Sequence, residues 1–186
     1  YSDAYVYVNG TYVGENHYGY SNFSFDISDY LTMDGVTENV IAVRAVNNVP
    51  TSRWYSGSGI YRDVTLDIVK PVHVADNGTF VTTPDIENNE GTVEVAVDVV
   101  NDSDSTAEVT ITNTVVETND SESTTQTVGA GATSTVTTSC KVLSPDLWSI
   151  DNPKLFTVRT ELSVNDEVVD TYDTTFGFRW YSFDSS

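Results

Sequence analysis

Cys140 is the single cysteine of this 186-residue chain, so no disulfide can close within it. With only two histidines, His17 and His73, set far apart, no zinc-ligand pattern exists either, and no cofactor is expected. Basic residues are scarce: 8 lysines and arginines face 28 aspartates and glutamates, a net charge of -20. A phosphate-binding surface needs the opposite sign, which excludes nucleic acid as a partner. No lysine or arginine occurs between Pro71 and Cys140. Residues 1–70 carry a net -4 and residues 71–186 a net -16, a difference that reads first as solubility. No apolar run approaches the roughly 20 residues that span a bilayer, so no membrane partner is expected. No signal-peptide pattern is present, and localisation stays open. No window keeps a helical period between capping signals, which leaves an all-β chain.

Short alternating runs fill the chain. Ala4 to Val8 alternates, Asn9-Gly10 supplies a tight turn, and Tyr12-Val13 starts the return strand. Phe23, Phe25 and Ile27 alternate with Ser24 and Asp26, and Val40–Val46 and Ile60–Val69 read as further strands. Lys70-Pro71 is the expected domain boundary, because proline cannot continue a ladder and the charge character changes there. Beyond it, strands are expected near Val72–Val74, Thr79–Thr82, Val93–Val100, Val109–Val116, Gln126–Val128, Ser134–Val142, Phe156–Val164 and Val168–Thr175. That spacing suggests a β-sandwich, and one cysteine excludes the antibody type. Asn101–Ser105 and Thr118–Thr125 read as polar turns, and Cys140 as a small buried apolar residue.

The densest motif is Arg53-Trp54-Tyr55-Ser56-Gly57-Ser58-Gly59-Ile60-Tyr61-Arg62, a loop between two strand-like runs. An aromatic ring beside a guanidinium can hold a sugar, the ring stacking on C–H faces and the arginine donating to hydroxyls. The same residue types also serve packing and ion pairing, so residue type alone leaves Arg53 and Trp54 open, and packing and pairing inside a sandwich is the competing reading of Tyr61 and Arg62. His17 lies in a polar, aromatic turn that lines a cleft or is simply exposed. Paired carboxylates could hydrolyse glycosides, but no acidic pair here has an identifiable partner, and no Ser-His-Asp arrangement is supported. No catalytic residue and no metal site are therefore expected.

Asn47 to Val64, around that motif, resembles the end of the N-terminal sugar-binding domain of glycoside hydrolase family 2, its β-galactosidases above all. Val8-Asn9-Gly10-Thr11-Tyr12-Val13-Gly14 and Phe23–Leu31 resemble a hairpin and following segment of that domain. Leu147–Phe156 and Phe176-Gly177-Phe178-Arg179 resemble the last strands of the immunoglobulin-like domain that follows it. The resemblance implies a partial jelly-roll sandwich over residues 1–70 and an immunoglobulin-like β-sandwich over 71–183. It implies a parent enzyme that hydrolyses terminal β-galactosides by a retaining mechanism, with two glutamates on a (β/α)8 barrel that this chain lacks, so that the chain alone is inactive. Carried over by position, Arg53 contacts sugar hydroxyls and Trp54 supports the loop, while Ser52 replaces the aspartate some relatives use at a cation, which argues against a metal there. The implied partners are the galactoside substrate and the absent barrel. The first segment, as half a jelly roll, must dock on the second segment, on another copy in a homo-oligomer, or on further chain. Trp148 would pack in a core or between domains, and Trp180 against the barrel. A free-standing carbohydrate-binding module and an immunoglobulin-like adhesion protein are the alternatives.

Overall fold

The computed structural model describes residues 3–48 and 57–181. The chain divides into two compact units, Tyr1–Leu66 and Asp67–Ser186.

In the first unit, β1 (Asp3–Val8), β2 (Thr11–Asn16) and β3 (Ile41–Val46) form one antiparallel sheet in the order β2-β1-β3. Asn9 and Gly10 turn the β1–β2 hairpin with φ of 50° and 80°, the left-handed pair that a two-residue hairpin requires. Asn9 also fixes the later chain. Its Nδ2 donates to the Tyr30 carbonyl at 2.9 Å, and its Oδ1 accepts from the Val40 amide at 2.9 Å. Val6 and Val8 are buried on one face of the sheet, where the Phe25 ring lies against Gly14.

Two expected strands of this unit do not form. Phe23–Ile27 is followed by a 3-10 turn at Ser28–Tyr30, and the described part of the run through Val69 is not in a ladder. A strand needs a neighbour for its backbone groups. Among the described residues these runs have none, and Phe23, Ile60, Val64 and Leu66 remain exposed.

The second unit contains β4 (Val72–Thr82), β5 (Ile86–Glu87), β6 (Glu90–Asn101), β7 (Ala107–Val115), β8 (Asp120–Val128), β9 (Ala132–Leu143), β10 (Phe156–Val164) and β11 (Glu167–Phe176). One sheet runs β11-β10-β7-β8; in the other, β6 pairs with β4, β5 and β9. The two expected strands Val72–Val74 and Thr79–Thr82 are one strand, β4, whose register shifts between Val74 and Thr79, where Asn77 takes φ 54°. Residues 120–125, expected as turn, belong to β8, whose backbone pairs with β7 along its length.

Alternation places Val93, Val95, Val97 and Val99 of β6 against Val109, Ile111 and Val115 of β7, all essentially inaccessible. Each such side chain contributes about 1.5–3 kcal/mol on burial. Phe156, Phe176 and Phe178 pack with ring centroids 5.0 to 5.9 Å apart. Two polar clusters lie inside. Asn113 Nδ2 donates to Thr138 Oγ1 at 2.9 Å, and Thr160 Oγ1 donates to Asn113 Oδ1 at 2.5 Å. The buried Asn101 amide donates to the carbonyls of Ser105 and Val128. Cys140 is half-buried at the edge of this core rather than inside it. Its thiol is pushed up by burial and by Asp120 and Glu122.

Candidate functional site

Arg53 and Trp54 lie outside the described residues, within 49–56. The structure does describe the end of their motif. Gly59 takes φ 122°, a value side chains rarely tolerate. Tyr61 and Arg62 are exposed rather than packed inside a sandwich, and the guanidinium carbon of Arg62 sits 5.3 Å from the Tyr61 ring centroid. The Tyr61 hydroxyl donates to the Gly19 carbonyl at 2.7 Å, across 42 residues of sequence. The motif is therefore tied to the turn after β2. No local sequence pattern signals that contact.

That turn is braced from its own side. Asn16 Nδ2 donates to the Tyr18 carbonyl at 2.9 Å, Ser21 Oγ donates to the same oxygen at 3.2 Å, and the Tyr18 and Tyr20 rings meet edge to face at 5.7 Å. His17 is exposed and bridged on both ring nitrogens: Nδ1 to Asp3 at 2.8 Å and Nε2 to Glu15 at 3.1 Å. Ionised carboxylates only accept, so both contacts together require the imidazolium. The Asp3 and Glu15 hydrogen bonds accordingly raise the histidine above its ordinary range.

The carboxylates behave as acceptors. Asp34 is held at about 2 by the Thr37 hydroxyl and by the Thr37 and Val36 amides. Ser28 lowers Asp26, Lys70 lowers Glu167 and Arg159 lowers Asp173. A glycosidase general acid needs the opposite shift. Among the described residues no group of three or more His, Cys, Asp or Glu side chains is placed to hold a metal ion. No described helix is long and apolar enough to cross a membrane.

In the second unit the Trp148 amide donates to the Phe178 carbonyl at 2.7 Å, and the Arg179 guanidinium lies 4.9 Å from the Trp148 ring. Trp148 is half-buried there, while Trp180 is exposed.

Residues 72–179 match the family model described as glycosyl hydrolases family 2. Over its whole length the chain is 38% identical to the β-galactosidase BoGH2A of Bacteroides ovatus, of which it covers 22%. A solved family 2 member from Bacteroides cellulosilyticus superposes with a TM-score of 0.91 at 36% identity, over 98% of this chain and 25% of that one. A solved family 2 β-glucuronidase gives 0.86 at 25% identity, over 96% of this chain and 21% of that one. The chain thus spans between a fifth and a quarter of the length of these relatives.

Proposed function

The chain belongs to glycosyl hydrolase family 2, and from that membership we propose that it is a non-catalytic part of a longer β-galactosidase, acting as scaffold and lending the Arg53 loop to the galactoside pocket. The observation that carries the reading is the 38% identity to a β-galactosidase along the entire chain. In this reading Arg53 donates to sugar hydroxyls and Trp54 supports the loop. The Tyr61–Gly19 hydrogen bond holds one end of the motif to the braced turn. The reaction itself falls to two glutamates on a barrel outside this chain, one as nucleophile and one as acid and base, with retention at the anomeric carbon. Lys70-Pro71 divides the sugar-binding part, 1–70, from the sandwich, 71–183.

A β-glucuronidase is the second reading, favoured by the likeness to a solved enzyme of that activity. The separating experiment expresses the longer protein that contains this chain and compares p-nitrophenyl β-galactoside with p-nitrophenyl β-glucuronide. The expected result is faster turnover of the galactoside. Preference for the glucuronide would replace the first reading by the second. The 186-residue chain alone should turn over neither, and activity that survives removal of contaminating enzyme would refute the non-catalytic assignment.

A further inference from the structure

Asn77-Gly78 lies where the ladder of β4 is broken. Val74 pairs with Val99 and Thr79 with Val97, so residues 75–78 bulge over the single residue Asp98 of β6. Among the described residues β4 pairs with no other strand. Both members of the dipeptide suit this bulge. Asn77 takes φ 54°, a left-handed conformation that asparagine tolerates better than most residues. A Cβ at Gly78 would lie 2.7 Å from both Ala75 Cβ and the Ala75 carbonyl oxygen, so only glycine fits.

Asn-Gly is also the dipeptide whose side chain closes most readily on the following backbone nitrogen, because glycine has no side chain to obstruct the attack. It occurs twice in the chain, at Asn9-Gly10 and Asn77-Gly78, and the two copies are held differently. Asn9 is locked. Its Nδ2 donates to the Tyr30 carbonyl at 2.9 Å and to Asn39 Oδ1 at 2.8 Å, and its Oδ1 accepts from the Val40 amide at 2.9 Å. Its backbone amide donates to the Val40 carbonyl at 2.9 Å. Asn77 is exposed, and its Nδ2 donates only to the carboxylate of its neighbour Asp76, at 3.0 Å. Gly78 is buried, so its nitrogen reacts when the bulge opens, and a segment without ladder partners opens more cheaply than a paired one.

We propose that Asn77 is a site of spontaneous deamidation, and that the fold protects the same dipeptide at Asn9. The Gly78 amide nitrogen gives its proton to base and attacks Asn77 Cγ. The new C–N bond forms, the Cγ–Nδ2 bond breaks, and ammonia leaves after taking a proton. Water then opens the five-membered imide. Opening at Cγ leaves aspartate at position 77, and opening at the backbone carbonyl leaves isoaspartate. The sum consumes one water and releases one ammonia, with nothing oxidised or reduced. Isoaspartate inserts a methylene into β4 between two ties to β11: the Val74 amide donates to Asp170 Oδ2 at 2.8 Å, and the Thr79 and Thr174 hydroxyls meet at 2.6 Å. Conversion therefore loosens one sheet of the second unit from the other. The inference goes beyond the proposed function and does not depend on it.

The test incubates the folded 186-residue chain at mildly alkaline pH and follows both sites by chymotryptic peptide mapping, with an isoaspartyl methyltransferase assay for the isoaspartate. Asn77 should convert at least about tenfold faster than Asn9, which must first release several hydrogen bonds. In concentrated guanidinium chloride the two sites should convert at similar rates, because the dipeptide is the same. Asn39→Ala, which removes one acceptor from Asn9 Nδ2, should speed Asn9 by about threefold or more and leave Asn77 unchanged. Asn77→Gly keeps the left-handed backbone accessible and should abolish conversion at that position. Aged wild type should melt below fresh wild type, and aged Asn77→Gly should not melt below its fresh sample. If Asn39→Ala does not fold, the ratio of the two sites in folded and denatured wild type decides. Equal rates in the folded chain, faster conversion at Asn9, a difference that persists in denaturant, a folded Asn39→Ala without effect on Asn9, or ageing that lowers both melts alike would each overturn the proposal.

Discussion

Asn113→Ala should destabilise the second unit by about 3–5 kcal/mol. Asn113 is 1% exposed, Thr160 is 0% and Thr138 is 6%. The substitution removes two hydrogen bonds, at 2.9 and 2.5 Å. It leaves two buried hydroxyls without that partner, at about 1–3 kcal/mol each where they find no other, and a small cavity between the sheets. The predicted total takes the middle of the resulting range, because a threonine hydroxyl can turn toward a nearby carbonyl. Replacing all three polar groups together, Asn113→Leu with Thr138→Val and Thr160→Val, should cost far less, about 1 kcal/mol, because no orphan remains. Urea unfolding reads both: the midpoint should fall steeply for the single variant at unchanged slope, and recover in the triple. A single variant that loses under about 1 kcal/mol, or a triple as unstable as the single, would refute the reasoning.

Gly91→Ala should cost about 1–3 kcal/mol in a thermal melt, because its Cβ would lie 2.7 Å from Phe178 Cε1 and 3.0 Å from Pro145 Cγ in a ring cluster that cannot yield; an unchanged Tm would show that the cluster has slack. His17 should titrate in NMR above the ordinary histidine value of about 6.5, because Asp3 and Glu15 hold its proton. Its contribution to stability is then fully present below the unfolded pKa and fades as pH rises through the folded one, and His17→Gln should remove that dependence; a midpoint at or below about 6.5 would contradict the clamp. In the longer enzyme, Arg53→Ala should lower kcat/KM for a galactoside by about tenfold or more with little change in Tm, since a charged hydrogen bond to sugar contributes about 1.5–3 kcal/mol. Unchanged kinetics with a collapsed Tm would make Arg53 a structural ion-pair partner instead.

Sequence alternation was informative where both sheets are complete. Val93 to Val99 and Val109 to Val115 alternate in sequence and bury every second residue in the structure. It failed at β8, where Asp120–Thr125 carries no apolar signal and the strand is held by its ladder to β7 and by hydroxyl pairs across it. It failed in the opposite direction at Phe23–Ile27 and in the described part of Ile60–Val69. Periodicity reports which face a side chain presents, not whether a neighbouring strand exists to take the backbone groups. The polar core was hidden for a related reason: Asn113 keeps the inward phase of Val109, Ile111 and Val115, but its partners Thr138 and Thr160 lie on distant strands that no local pattern links to it. The Arg53 motif is local and could be read directly. The Gly19–Tyr61 contact joins distant segments and could not. The first sheet is intermediate: Tyr5 and Tyr7 alternate visibly, but Tyr12 stands opposite Tyr7 only because the register slips past Val13.

The contrast between the two units bears on how the proposed function should be tested. In the second unit the inner faces of both sheets cover each other, and the valines of β6 and β7 are sealed. In the first, Val6 and Val8 are buried, but Ile41, Ile60, Val64 and Leu66 are exposed in runs whose alternation is that of core strands. A face with that pattern is stable when another layer covers it. The exposure therefore supports the reading that this chain works within a longer protein, and it sets the order of experiments. Stability measurements on the second unit are meaningful with the 186-residue chain. Kinetic measurements on Arg53 belong in the longer enzyme, where a change in turnover can be separated from a change in how the first unit is held.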